Sequence, residues 1–387
     1  MQATSESFDV QALLSGQGQD IPLFKVFMSE ETIQAAGETL RSGYIGQGPR
    51  VELFENKLKS YLSSPHVLTL NSGTSALQLA LRLAGVGHGD EVITTPMTCM
   101  ATNVPILATG ADIVWADIDP MTGNISAGDV RQKITSRTRA IICVDWAGYP
   151  CDLEELQQIA RLHNIKLIED AAHGFGSTYR GRFVGGLVDF TCFSFQAIKH
   201  LTTVDGGALV CKSEDDHRRG KLLRWYGIDR ESPRRDFRCE EDVVEYGYKF
   251  HMNDVNATIG IHQLNSIDAI LNAHRENALF YSQAFKAAAP SGLELLDYKT
   301  DRMGSYWLYT MKVKNRAAFM EKMKERKITV SQVHARNDHH TVFKRFRTLL
   351  PGVDEFVQAQ VSIPVGWWLT PQQRAYIAAS VKELSEC

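Results

Sequence analysis

Much is missing from this 387-residue chain, and each absence excludes something. No apolar run approaches the roughly 20 residues that a membrane-spanning helix needs. The start, MQATSESFDVQALLSG, has no basic stretch leading into a long apolar segment, so it does not read as a secretion signal. There is no excess of one charge: 42 Lys and Arg stand against 45 Asp and Glu, a net −3, with no charged tail. That argues against a nucleic-acid partner. The seven cysteines (Cys99, Cys143, Cys151, Cys192, Cys211, Cys239, Cys387) form no CxxC pair, and several lie inside apolar runs. The expectation is reduced, mostly buried thiols in a cytoplasmic protein, not a disulfide framework or a zinc site. Internal repeats and low-complexity segments are also missing.

What is present is an alternation. Between about residue 65 and 212, short apolar runs (HVLTL, EVITTP, DIVWADI, RAIICVDW, KLIED, FTCFSF, GALVC) alternate with helical patterns such as SALQLALRLAGVG and LEELQQIARLHN. Several runs are continuous rather than alternating in polarity, as strands buried on both faces should be. The expected fold class is α/β, with a mostly parallel central sheet and ligand groups at the carboxyl ends of its strands. After about residue 252 the pattern changes to a long helical stretch with a break, then a mixture of strand and helix. A single core stops growing at about 250–300 residues. We therefore expect a large domain over 1–265, including an N-terminal extension 1–20, and a smaller C-terminal α+β domain over 266–387.

Three segments carry candidate chemistry. In TLNSGTSALQLAL a strand gives way to a helix, and the amides of Gly73 and Thr74 would face a phosphate at its amino end. Ordinary capping by Ser72 or Thr74 explains the same residues. In KLIEDAAHGFG, Asp170 closes an apolar strand, where a carboxylate would hold a proton on a ring nitrogen; His173 would reach a phenolic oxygen. Asp170 alone reads equally as a turn cap. Asp and His without a further Cys/His cluster make a poor metal site, and no metal is expected. In SFQAIKH, Ser194 adds a phosphate donor and Lys199 an amine for an aldehyde, whereas a lone turn lysine is ordinarily just solvated. Together the segments describe one ligand, with phosphate, basic ring nitrogen, phenol and aldehyde: pyridoxal 5′-phosphate.

With these motifs in order, the chain resembles the DegT/DnrJ/EryC1/StrS sugar aminotransferases, which are fold-type I enzymes. The resemblance runs from IPLFKVFMSEE and LRSGYIGQGPRVELFE through NSGTSALQLAL, GDEVITTP, EDAAHGFG and SFQAIKHLTTVDGG to VSIPVGWWLT. It implies that Lys199 is the Schiff-base lysine and proton shuttle, that Asp170 partners the pyridine nitrogen, and that Gly73, Thr74 and Ser194 hold the phosphate. His173 stands where many relatives have a glutamine. It also implies a keto-sugar acceptor, nucleotide-linked, with glutamate as amino donor, in surface-polysaccharide or amino-sugar biosynthesis. A homodimer with shared active sites is implied as well.

The chain departs from the pattern at several places. Where relatives set an aromatic ring to stack on the cofactor, TTPMTCMATN offers Cys99, or Met100 beside it. Where relatives have Gly-x-Asn-x-Arg, GYKFHMND gives Lys249, expected on the phosphate of the partner's cofactor, and His251, expected near substrate. The usual GEGG reads VDGG, Val204 to Gly207. In VSQVHARNDHHTVF the polar residues His334, Arg336, Asn337, Asp338 and His339 lie where relatives approach the sugar. Arg336 or His339 would meet a diphosphate, unless this is a solvated loop. Two other functions compete with this one. A dehydratase of this family has histidine in place of the lysine, and His200 would fill that role after a one-residue slip. Counting places Lys199, five residues after Ser194, at the anchor. A non-catalytic regulator finds no support in charge or in the intact Lys199, Asp170 and Ser194 set.

Overall fold

The computed structural model describes residues 20–231, 236 and 242–385. Residues 1–19 of the expected extension 1–20, with Cys239 and Cys387, lie outside the described residues. Two helices lead in, α1 (Glu30–Ser42) and α2 (Pro49–Leu62). The central units follow: β1 (Val67–Leu70), α3 (Gly73–Leu83), β2 (Glu91–Thr94), α4 (Met100–Ala108), β3 (Asp112–Trp115), α5 (Ala127–Lys133), β4 (Thr138–Val144), α6 (Leu153–Leu162) and β5 (Lys166–Asp170). A short hairpin, β6 (Thr178–Tyr179) and β7 (Arg182–Phe183), precedes β8 (Phe190–Ser194), β9 (Gly207–Cys211) and α7 (Glu214–Leu223).

The seven-stranded sheet has the order β1-β9-β8-β5-β4-β2-β3. Neighbours from β8 to β3 pair in parallel, and β9 runs antiparallel to both β1 and β8. Strands β1, β2 and β9 are buried at every residue, in keeping with their mostly apolar sequences. The parallel direction brings the carboxyl ends of β5 and β8 together beside the amino ends of α3 and α4, and the candidate site forms there.

The expected break in the long helical stretch falls at Leu264–Ser266, between α8 (Asp254–Gln263) and α9 (Ile267–Ala288). Helix α9 serves two cores. Its start, Ile267 and Leu271, packs with Phe54, Phe175 and Phe195. Its end, Ala278, Tyr281 and Phe285, packs against a three-stranded antiparallel sheet. That sheet comprises β10 (Leu293–Leu295), β12 (Tyr309–Val313) and β13 (Gln360–Ile363), and it is flanked by α10 (Arg316–Glu325), α11 (Pro351–Ala359) and α12 (Pro371–Leu384). Strand β11 (Arg302–Met303) instead pairs with β6. Ile21 is a departure from the expected division: it bridges to Ile328 and packs in the C-terminal core. Among the described residues no helix is long and apolar enough to cross a membrane.

Candidate active site

Residues from several segments converge on one cavity of about 230 Å³. Its wall includes Gly73, Thr74, Cys99, Asp170, His173, Ser194 and Lys199, together with Trp307 and His334.

The first segment is the turn from β1 into α3. Ser72 caps the helix by accepting a bond from the Ser75 amide at 3.0 Å. The ordinary capping role therefore falls to Ser72, and the first-turn amides of Gly73 and Thr74 have no acceptor within the helix. A Cβ on Gly73 would stand 2.9 Å from Ser194 Cβ, and one on Gly207 would stand 2.6 Å from Gly73 N. The helix amino end, the end of β8 and the start of β9 thus meet at backbone contact, and both positions require glycine.

Asp170 ends β5 with one oxygen on the Thr102 hydroxyl (2.7 Å) and the other on the Ala172 amide (3.1 Å). Burial pushes its carboxyl up, while those two bonds and the Lys199 charge work the other way. Thr102 stands one turn beyond Thr98, whose hydroxyl it meets at 2.7 Å, so α4 orients the carboxylate.

Lys199 lies in the loop between β8 and β9. That loop closes on itself through Phe195 N to Gly206 O (2.8 Å), Thr203 N to Phe195 O (2.9 Å) and Lys199 N to Gln196 O (2.9 Å). Among the described residues the Lys199 amine has neither an ion pair nor a hydrogen bond. It stands 3.7 Å from the centre of the Trp307 ring. Burial brings its pKa down to about 7, against the opposing pull of Asp170 and Cys99. His200 is absent from the cavity wall. It is buried with its ring edge-on to His274, 4.6 Å away, so the cavity meets Lys199 and not His200.

His173 lies nearly flat on Trp307, with ring centres 3.8 Å apart. Its Nδ1 and the Nε2 of His334 are buried without a partner. Burial first, and then the charge of Lys199, holds both rings neutral; His334 is brought to about 4.

The remaining expected residues lie elsewhere. Lys249 is exposed and His251 packs against Trp225 at 3.7 Å; neither lines the cavity of its own chain. The segment runs beside the end of β1, where Asn71 N donates to Phe250 O at 2.7 Å. Arg336 calls for a correction. Its guanidinium is buried and bonded twice to Asp338 (2.8 and 2.7 Å) and once to Asp354, so it is an internal ion pair and not an anion receptor in the cavity. His339 is exposed, and its carbonyl accepts from Arg347. Asn337 is a clamp: it donates to Thr98 O (2.7 Å), accepts from Asn103 (2.8 Å), and its amide bonds Pro96 O.

Sequence reasoning overlooked Trp307 and Thr102. Trp307 sits in GSYWLYTMKV, which reads as an ordinary strand lead-in, and nothing in its neighbours signals a site 108 residues after Lys199. Thr102 had a signal in its i, i+4 spacing from Thr98.

The donor set fits pyridoxal 5′-phosphate. Free amides at a helix amino end suit a dianion, an unpaired amine suits an aldehyde, and a buried carboxyl suits a ring nitrogen. The partnerless Nδ1 of His173 supplies a hydrogen-bonding group for a phenol oxygen.

Residues 27–382 match the DegT/DnrJ/EryC1/StrS aminotransferase family. The chain is similar to AtS13 from Actinomadura melliaura, at 45% identity and a TM-score of 0.91, covering 95% of this chain and 99% of that one. It is similar to the sugar aminotransferase CalS13 from Micromonospora echinospora, at 40% identity and a TM-score of 0.90, covering 94% and 99%. It is also 35% identical to the spore coat polysaccharide biosynthesis protein SpsC of Bacillus subtilis over 301 residues, 77% of each chain.

Proposed function

Since the chain belongs to this family of pyridoxal-phosphate-dependent aminotransferases, we propose that it moves an amino group from glutamate to a nucleotide-linked keto sugar, in the cytoplasm, to supply amino sugars for a surface polysaccharide or a related product. The similarity to a sugar aminotransferase and to a polysaccharide biosynthesis protein supports the sugar. The observation that carries the reading is the meeting of Lys199, Asp170, His173 and the α3 amino end around one cavity.

The cofactor, when bound, supplies an electron sink and carries the amino group between substrates. Gly73, Thr74 and Ser194 would hold its phosphate, Asp170 would keep a proton on its ring nitrogen, and His173 would meet its phenol oxygen. Lys199 would anchor it, and the amine would carry the proton to and from the substrate carbon. An amine with a pKa of about 7 suits that work, since near neutrality it can both accept and give a proton.

Glutamate alone, added to the holoenzyme, should bleach the visible band of the lysine-bound cofactor and release a stoichiometric amount of 2-oxoglutarate. An unchanged spectrum with cofactor demonstrably bound would refute the glutamate assignment. The enzyme works as a homodimer in which Lys249 reaches the partner's cofactor phosphate and His251 its substrate; exposure of Lys249 outside its own cavity supports this. Mixing a Lys199→Met chain with a Lys249→Met chain should restore activity through hybrids, and no recovery would remove Lys249 from the shared site.

A further inference from the structure

Among the described residues no ion pair and no hydrogen bond holds the Lys199 amine. Five groups face it: Asp170 from β5, Cys99 from the amino end of α4, and the neutral rings of His173, His334 and His200. None of them bonds its amine. The group in contact is the face of Trp307, 3.7 Å from Nζ to the ring centre, well inside the range of an ammonium–arene attraction.

Trp307 is held firmly for this. It is almost fully buried, at 3% exposure. Its Nε1 donates to the carbonyl of Ile198, the residue before the lysine, at 2.8 Å. His173 stacks on it at 3.8 Å and Phe24 at 4.9 Å. The preceding residue, Tyr306, is tied through its carbonyl to His274 Nδ1 at 2.8 Å. The indole comes from the chain leading into β12, in the C-terminal layer, and the lysine comes from the β8–β9 loop of the central sheet. The two layers therefore meet at the reactive amine.

We infer that Trp307 is the positioning residue of the reactive lysine: its indole face is the resting place of the Lys199 amine whenever that amine is not bonded to the cofactor. The lysine must leave and regain the cofactor in each half of a transamination, and between those events a buried amine needs a place to stay. A carboxylate there would trap it as a permanent cation. Water would give it many positions and an ordinary basicity. An aromatic face stabilises the charged form partially, leaves the neutral form free, and keeps Nζ at one wall of the cavity.

The inference rests on Lys199 being the cofactor lysine, and that premise has its own check. Borohydride reduction of the holoenzyme should leave the pyridoxyl mass on Lys199; mass on another residue would defeat the premise without touching the contact with Trp307. The inference itself is tested on cofactor-free protein by trace acetylation with acetic anhydride over pH 5–10, reading the Lys199 peptide by mass spectrometry. The wild-type midpoint is expected near 7. Trp307→Phe keeps a ring face and should leave the midpoint within a few tenths of a unit. Trp307→Leu removes the ring and should lower the midpoint by about one unit, a tenfold weaker hold on the proton. A purely packing role would make the two variants alike. A midpoint in Trp307→Leu that stays put or rises overturns the inference. If that variant does not fold, Lys199→Met answers the same question with position 307 intact. The tryptophan emission of cofactor-free wild type should step near pH 7, and the step should vanish in Lys199→Met; a step that survives overturns the inference.

Discussion

Two buried polar regions of this protein sit side by side and behave in opposite ways. Around Arg336, each strong donor has an acceptor: the guanidinium is bonded to Asp338 and Asp354, and the Asn337 side chain and amide hold Thr98, Asn103 and Pro96. Around Lys199, across the turn that Asn337 clamps, His173 Nδ1 and His334 Nε2 are buried without a partner among the described residues, and the amine meets the face of Trp307. Buried polar groups are normally satisfied, so an unsatisfied set converging on a cavity is reserved for something that enters it. Both regions look alike in the sequence as clusters of His, Arg, Lys and Asp. The bonding separates scaffold from chemistry.

The sharpest way to break this contrast is to remove one cation from each region. Lys199→Met should lower transamination by at least about 10³-fold, because anchor and proton carrier are lost together. It should also abolish the visible band of the bound cofactor while the far-ultraviolet circular dichroism stays unchanged. Arg336→Leu should do the reverse. It leaves Asp338 buried without its counter-charge, so stability should fall by about 3 kcal/mol in urea unfolding. Turnover per folded molecule should stay within a few-fold of wild type. A large loss of turnover at full occupancy would return Arg336 to the substrate site and erase the distinction.

The regions should also differ in how pH acts on them. The Lys199 amine has a folded-state pKa of about 7, below its ordinary value of 10.5. Below pH 7 the folded and unfolded chains both hold the proton, and the folded chain bears the full penalty of enclosing a charge. Between 7 and 10.5 the folded chain has released the proton and the unfolded chain has not, so the penalty fades with rising pH. Cofactor-free Lys199→Met should therefore be more stable than wild type at pH 7, by about 2–3 kcal/mol once water in the open cavity is allowed for. The gap should close toward pH 10.5 in parallel denaturation series. A gap that is constant with pH would mean that the amine is not desolvated in the native state.

The parts of this architecture that follow from local pattern could be read in the sequence. Unbroken apolar runs such as IICV in β4 mark strands covered on both sides, and Asp170 and Lys199 stand at strand ends where an α/β sheet places its ligands. Three features could not be read. The antiparallel direction of β9 depends on the loop that turns the chain back after β8, and strand composition does not encode direction. Arg336 has one partner two residues away and another at Asp354, contributed by α11, so its pairing is a tertiary fact. Trp307 reaches the lysine only because the lead-in to β12 passes the mouth of the sheet. Local order is written in neighbouring residues; who satisfies whom is decided by elements far apart in the chain.

Cys99 sharpens the comparison at its boundary, since it follows directly on Thr98, whose carbonyl Asn337 holds. Its thiol is exposed on the cavity wall where the resemblance calls for an aromatic ring, and it makes no capping bond to α4. Because the scaffold fixes the backbone here from the satisfied side, a larger side chain changes what the cavity offers without unpairing anything. Cys99→Phe would add a stacking face for the cofactor ring, and an aromatic pair is worth about 0.5–1.5 kcal/mol beyond its area. The expected result is cofactor retained about 2- to 10-fold more tightly, measured by fluorescence titration of cofactor-free protein with pyridoxal 5′-phosphate. Phosphate contacts at Gly73 and Thr74 should be unaffected, so inorganic phosphate should compete with the same constant in both proteins. Unchanged or weaker cofactor binding, with phosphate binding intact, would show that position 99 does not face the cofactor ring.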